Sequence, residues 1–487
     1  MTNSFRARIG QYAGSLLVVV MTSALLTTLA TILDRVRTAG LGPGAVRSAE
    51  SLMGLVGSTS GLAALLLVAN TFSLVVDQRL REIGVLRTVG ATPSQIRLQI
   101  VGEALLLSLA GGLAGGVLGT AGTGPALDWL VRNEVVPTVP EAHFSVTGAL
   151  TGPLCTAVIA VLAALTAVHR PLRMGALTSL REAEVPRRAM PTGRVISVLL
   201  MFALALAVHQ HYEHRYDADA DAGDVVDGAM ALGLMLLLAA WLLLPVLVRP
   251  LMAVGARPGR VLSRYTGRMA TVNAVSAPRR TAAMTGPVLI AVGLSAMLLC
   301  SAGAAGALEG AEARGAASTR TAEPSEAAAR AGGALVGLDQ EDLATAEATL
   351  QRRRNAVGIK VLMAPLIVFS GVGILNTLLL ATRQRRREFA VLRLTGGTTG
   401  QLLRMLLWES LAVVVAGVAT AGAVVGVFLA VLSRRLTPFG VETAAALPWG
   451  QLTWVVTGCT ALGLLGVLIP ARSALRTKAV RATRTAD

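Results

Sequence analysis

Residues 209–224 gather most of the side chains that could hold a metal. The run His209-Gln-His211-Tyr-Glu-His214-Arg-Tyr-Asp217-Ala-Asp219-Ala-Asp221-Ala-Gly-Asp224 contains three of the five histidines and several carboxylates. Imidazole together with carboxylate suits Zn²⁺ or Cu²⁺. The alternating aspartates approach a calcium loop but fail it, because Gly223 stands at the seventh position instead of the sixth and Gly228 occupies the twelfth, where a glutamate is required. A solvated acidic loop between two apolar runs explains the composition better, and no metal site is assigned. Phosphate chemistry is absent as well. A P-loop needs Gly-x-x-x-x-Gly-Lys-(Ser/Thr) to cradle phosphates and bring a lysine onto them. The two lysines, Lys360 and Lys478, lie in no such setting. There is neither His-Glu-x-x-His nor Gly-x-Ser-x-Gly. Cys155, Cys300 and Cys459 sit inside apolar runs and form no disulfide framework. The chain therefore reads as having no enzymatic centre and no cofactor of its own.

The elements around these residues are membrane spans. The chain is 53% hydrophobic, 15% charged, and has a mean hydropathy of +0.63. A membrane helix needs about 20 mostly apolar residues. Ten stretches qualify: 14–33, 53–76, 101–121, 147–168, 195–208, 229–248, 286–303, 357–381, 409–432 and 449–470. The first follows Arg6 and Arg8, yet its length and its lack of a small-x-small cleavage site mark an uncleaved span. The expected fold is an all-α polytopic membrane protein of about ten transmembrane helices in two repeated four-helix modules, residues 1–190 and 256–487, joined by a helix pair over 191–255. The segments between the first two helices of each module, 34–52 and 304–356, are too short for an independent core. The second is rich in Ala and Glu, which favour helix.

Charge sets the expected orientation. With both termini placed in the cytoplasm, the inner segments hold 30 of the 44 Lys and Arg residues, and 20 of the 28 acids fall in outer loops. This is the positive-inside pattern. The net charge of +16 then suits anionic lipid headgroups of the bilayer, and nucleic acid is not an expected partner. The expected location is the plasma membrane, with multiple passes.

Residues 79–119 recur 306 positions later at 385–425. The shared positions include Arg79/Arg385, Arg81/Arg387, Glu82/Glu388, Val85/Val391, Arg87/Arg393, Gly90/Gly396, Thr92/Thr398, Gln95/Gln401 and Glu103/Glu409. Each copy links one apolar run to the next, so what repeats is a cytoplasmic elbow. Thr92-Pro-Ser-Gln95 and Thr398-Thr-Gly-Gln401 carry the capping-box signature, in which two side chains satisfy open N–H groups at a helix start. Gly90 and Gly396 precede the boxes and allow the backbone to reverse. The second helix of each module is thus expected to run out through Glu82 or Glu388, turn at glycine, and restart as a short capped helix. Beyond the first elbow, Gly111, Gly115 and Gly119 share a helix face, with Gly112 and Gly116 beside it. The second copy has Gly417 and Ala421, with Gly422 nearby. Small residues four apart let helices approach closely in lipid. Among polar residues in the spans, Asn70/Asn376 and Thr71/Thr377 are paired across the copies, and interhelical hydrogen bonds are their expected role. Glu103 and Glu409 are expected to meet elbow arginines, and Lys360 to snorkel toward an interface.

The pattern Arg-Glu-(Ile/Phe)-x-Val-Leu-Arg-x-x-Gly, a capped restart and a small-residue helix resembles the FtsX-like permease family, the membrane subunits of MacB/LolCDE-type ABC transporters, here in a two-module, ten-helix form. The resemblance covers residues 53–181 and 357–481. Residues 272–283 also look like the family's cytoplasmic lead-in to a module. What the resemblance implies is docking of a separate ABC ATPase subunit, as a dimer, on the elbows. ATP and Mg²⁺ would be held by that partner. Carried over by position, the docking set is Glu82, Arg87, Gly90, Ala91, Thr92 and Gln95, with Glu388, Arg393, Gly396, Gly397, Thr398 and Gln401. The chain lacks the large outer domain of many relatives, which leaves the substrate and any outer-face partner open.

The expected function is that of a permease subunit that converts ATP hydrolysis elsewhere into export or extraction of an amphiphile such as a lipid, peptide or antibiotic. The alternative is mechanotransmission, in which the same motion regulates a cell-wall hydrolase or a sensor kinase and nothing crosses. A secondary transporter is disfavoured by the near absence of ionisable residues in the spans. Replacing His209, His211 and His214 together with alanine should leave zinc binding, measured by calorimetry, at its original level; a loss of stoichiometric binding would restore the metal reading.

Overall fold

The computed structural model describes residues 2–40, 43–133, 145–173, 192–215, 222–255, 266–276, 278–322, 386–437 and 449–476, with scattered positions between 361 and 376. Among the described residues there are twelve helices and no strand: α1 Thr2–Thr38, α2 Pro43–Gln78, α3 Leu80–Thr88, α4 Pro93–Arg132, α5 Val146–Arg173, α6 Thr192–Arg215, α7 Ala222–Gly255, α8 Thr266–Ser276, α9 Pro278–Ala322, α10 Arg386–Leu394, α11 Thr399–Leu436 and α12 Trp449–Arg476. Seven of them are long and apolar enough to cross a membrane, over 15–38, 56–73, 93–132, 146–169, 228–254, 280–304 and 399–436. The all-α polytopic fold is thereby established. The expected span at 195–208 is the shorter apolar helix Val195–His211, and that at 449–470 lies within α12. Most of the span expected at 357–381, with Lys360 and Thr377, lies outside the described residues.

Several helices outrun the bilayer. At 1.5 Å per residue, the 45 residues of α9 extend about 68 Å, against a hydrocarbon core of about 30 Å. The segment 34–52 is nearly all helix, because α1 continues to Thr38, a left-handed Gly40 turns the chain, and α2 begins at Pro43. Arg37 and Glu50 pair at 2.7 Å beside this turn. In segment 304–356, α9 is helical to Ala322, as its Ala and Glu content favours.

In the first module α1 lies against α4 and α5, and α2 closes the group against α1 and α5. The glycines explain how close this packing is. A side-chain carbon at Gly115 would overlap the Val20 carbonyl oxygen, at Gly119 that of Ala24, and at Gly152 that of Ser23. Gly112 and Gly116 face Pro153 of α5 instead. Burial of apolar area gives no drive between helices in lipid, so contact at backbone distance supplies the dispersion attraction. It also permits hydrogen bonds to opposing carbonyls: Ser23 Oγ donates to Gly112 O at 2.7 Å and Thr28 Oγ1 to Gly119 O at 3.0 Å.

The second module centres on α9, whose span is almost entirely buried among α7, α11, α12 and α2. The connecting helices side with this module: Gly233 of α7 abuts Phe428 and Met297, and Gly293 abuts Leu237 of α7. At the far end of α11, Arg435 Nη2 lies 3.0 Å from His209 Nδ1 of α6. A side-chain carbon at Gly417 would come within 2.7 Å of Val288, as one at Gly111 would come within 2.8 Å of Val19, whereas one at Gly422 would meet nothing within 4 Å among the described residues. The close approach in this copy therefore rests on Gly417 and the buried Ala421, and the packing role expected of Gly422 is corrected. Gly115→Val should separate α1 from α4 and destabilise the bundle by about 1–3 kcal/mol, read as a lower thermal midpoint in detergent, while Gly422→Val should leave the midpoint unchanged.

Candidate functional site: two capped elbows

The two elbows share one geometry. In the first, Ala91 N donates to Leu86 O at 2.9 Å and Gly90 N to Arg87 O at 3.2 Å. In the second, Gly397 N donates to Leu392 O at 2.9 Å and Gly396 N to Arg393 O at 3.2 Å. This bond pair is a Schellman motif, which closes a helix through a left-handed residue. Gly90 and Gly396 supply that residue, at φ 103° and 94°. An L side chain there costs about 1–2 kcal/mol. The next helix then starts in a full capping box. Gln95 Oε1 accepts from Thr92 N at 2.9 Å and Thr92 Oγ1 accepts from Gln95 N at 3.4 Å. The Thr398–Gln401 box repeats this at 3.0 and 3.3 Å.

Two expectations about helix lengths are corrected. The second helix of the first module does not run unbroken through Glu82. It ends at Gln78, Arg79 leaves helical geometry at φ −100°, ψ 7°, and α3 is a separate nine-residue helix. Arg79 Nη1 pairs with Glu103 Oε2 at 2.5 Å, which holds the break against α4. Nor is the capped restart short. No proline or cap interrupts the chain before Pro125, so α4 continues from the elbow through the membrane for 40 residues, and α11 does so for 38. Each elbow's short helix is consequently α3 or α10, and the capped helix is itself the third span.

One side of each elbow is anchored and the other is open. Ile83 and Ile96 are buried with Val76, Ile100 and Val168. Phe389 and Leu402 are buried in the main core at the corresponding positions. Opposite them, Val85 and Val391 are each 49% exposed, Val89 83% and Leu394 59%. Glu82, Gly90, Thr92 and Gln95 are exposed on the same elbow, as are Glu388, Gly396, Thr398 and Gln401 on the other. Arg87, Ala91, Arg393 and Gly397 are half-buried. Each predicted set is thus gathered on one elbow. The exposure of the valines was not expected from sequence, although Val85/Val391 stood among the repeated positions, and Ile96, Leu402 and Met405, expected to be presented by the capped helices, are instead buried.

Both elbows leave the bundle at one end. Asn70 Nδ2 donates to Ala283 O at 2.9 Å, and Gly373 lies near both Leu67 and Pro287, so α2 and α9 run antiparallel in contact. Nine residues on from Asn70 the first elbow begins, and three residues back along α9 Arg280 reaches Glu388 of the second at 3.9 Å. The expected interhelical role of the asparagines is observed: Asn376 Nδ2 donates to Thr71 Oγ1 at 3.0 Å, between the two modules. Glu409 is buried and meets Arg280 of α9 at 3.4 Å, while Arg385, the elbow arginine aligned with Arg79, lies outside the described residues. Of the His209–Asp224 cluster, His214 and the aspartates also lie outside the described side chains.

Residues 54–175 and 360–479, about half the chain, match the C-terminal domain of FtsX-like permeases, once in each module. The chain belongs to the FtsX-like permease family. Similar proteins include the pyoverdine export ATP-binding/permease protein PvdT of Pseudomonas savastanoi pv. phaseolicola, 40% identical over 108 residues, which are 22% of this chain and 16% of that protein. The PvdT of Pseudomonas syringae pv. syringae is 39% identical over the same shares. The lipoprotein-releasing system transmembrane protein LolC of Haemophilus influenzae is 35% identical over 79 residues, 16% of this chain and 20% of LolC. The matched stretch thus spans at most a fifth of these relatives. Together they place this FtsX-like permease among membrane proteins of the ABC-permease type.

Gly90→Val should distort the elbow more than Thr92→Ala. We expect a loss of about 1–2 kcal/mol for the first and about 1 kcal/mol for the second. Raised amide exchange confined to residues 86–95 would check both, and equal protection in the two variants would contradict the Schellman assignment.

Proposed function

We propose that this permease is the membrane subunit of an ABC transporter whose ATP and Mg²⁺ are bound by a separate ATPase subunit, acting as a dimer beneath the two elbows. The observation that carries the reading is the pair of matching, rigid, solvent-facing elbows at one end of the bundle. A dimeric motor presents two equivalent clefts, and this single chain presents two equivalent plugs. Exposed Val85 and Val391 are suited to an apolar pocket in each cleft, with Val89 and Leu394 at its edge. Glu82 and Glu388 would meet basic groups at the rim, and the half-buried Arg87 and Arg393 acidic ones. Burying such valines on docking favours association by about 25 cal/mol per Å² of apolar area covered.

The basic distribution of the elbow-side segments supports placing that end and both termini in the cytoplasm, with the chain in the plasma membrane. Two modules, 1–190 and 256–487, would each receive one motor subunit, with 191–255 serving as a brace on the second. Closure of the motor on ATP would push α3 and α10, and the capped spans α4 and α11 would carry that push through the bilayer. PvdT is named for export and LolC for lipoprotein release. An amphiphile expelled or drawn from the outer leaflet is the cargo this supports, be it a lipid, a peptide or an antibiotic. Control of an envelope enzyme or sensor by the same motion is the competing outcome.

Glu82→Gln together with Glu388→Gln should lower stimulation of the co-purified ATPase by roughly tenfold or more, the scale for truncated interfacial charges, with the permease still folded. Full stimulation by the double variant would contradict the docking reading.

A further inference from the structure

The two elbows are alike in backbone, and each has ion pairs among its described residues. On the first, Arg79 at the helix break pairs with Glu103 of α4, the helix that follows it in sequence. On the second, Glu409, aligned with Glu103, is buried on α11 and pairs with Arg280 of α9. The same guanidinium lies 3.9 Å from Glu388 of the elbow helix α10, a carboxylate more than half exposed. Arg280 therefore stands between an acid anchored in the core and an acid carried on the elbow helix. The glycine contacts align α9 with α1 through Val288 and Val19, and the position matching Arg280 in the first module is Gln11.

We infer that Arg280 is a positioning residue that passes displacement of the second elbow into α9. The inference rests on the docking reading for its biological direction, since the elbow must be pushed for the link to matter. Physically it stands on three features. Glu409 is almost wholly buried, so its charge requires a partner and holds the Arg280 side chain in place. Glu388 is at the limit of ion-pair distance, where an inward shift of α10 strengthens the attraction. The span of α9 is enclosed by α7, α11, α12 and α2, so movement at its foot is passed to four neighbours. The first elbow has a local clamp, Arg79 to Glu103, and drives α4, which meets α1 through the glycine seam. A push at each elbow would thus enter the bundle through α4 in the first module and, by the Arg280 link, through α9 in the second.

The test is a double-mutant cycle on the full chain in lipid nanodiscs, read by amide exchange at residues 281–286 of α9, with no motor present. Glu388→Gln alone should change exchange there by roughly threefold or more, the scale of directly coupled residues, and should have no further effect once Arg280→Gln is in place. Because Arg280→Gln leaves a buried carboxylate, the cycle is repeated with Arg280→Gln and Glu409→Gln combined, which removes both charges and keeps hydrogen-bonding groups of similar volume. Equal effects of Glu388→Gln in the wild-type and both variant backgrounds would overturn the assignment. Since no ATPase takes part, that result would leave the docking reading standing, and failure of ATPase stimulation would leave this one standing.

Discussion

A helix that stops and turns back leaves four carbonyls and four N–H groups open, and beside a membrane there is little freedom to satisfy them loosely. The elbow of this permease solves that constraint twice with the same atoms. A left-handed glycine closes the outgoing helix, and a threonine–glutamine box opens the returning one. The turn that results is short and internally bonded. Its internal bonding is what allows an apolar side chain such as Val85 or Val391 to stand exposed at a fixed place, and what makes the third span of each module a continuous rod from the elbow to the opposite end of the bundle.

The rods work only if their neighbours hold them without a hydrophobic drive. In the first module that hold is backbone contact at Gly115, Gly119 and Gly152, supplemented by serine and threonine hydroxyls on opposing carbonyls. In the second it is bulk: Leu289 and Met297 of α9 are buried in one core with Phe428 of α11 and Leu237 of α7, and α7 takes up one flank. The two modules share a sequence pattern at the elbow and diverge in the packing above it. A seam of amide and hydroxyl groups, Asn376 to Thr71 and Asn70 to Ala283, joins them near the elbow end.

Much of this was legible from residue order. The repeat located both elbows, the Thr-x-x-Gln spacing specified the caps, and Gly111, Gly115 and Gly119 at a period of four identified the tight face of α4. What could not be read depended on three-dimensional partners. The break at Arg79 has no proline or glycine to announce it and is tied to Glu103, 24 positions away. The length of the capped helix was underestimated because a capping box marks a start and says nothing of the end. Gly422 was counted as a packing residue by analogy with Gly116, yet among the described residues only the first module places a neighbour against that position. Arg280 looked like one more inner-face arginine until Glu409 was found buried beside it.

The central claim is that both elbows are seats for one external motor. Bifunctional crosslinking from single cysteines placed at Val85 and at Val391, in a background where Cys155, Cys300 and Cys459 are serine, tests it most directly. The account predicts that each position crosslinks to the ATPase subunit with similar yield and that nucleotide changes both yields together. Crosslinking from one elbow alone, or from neither, would contradict it.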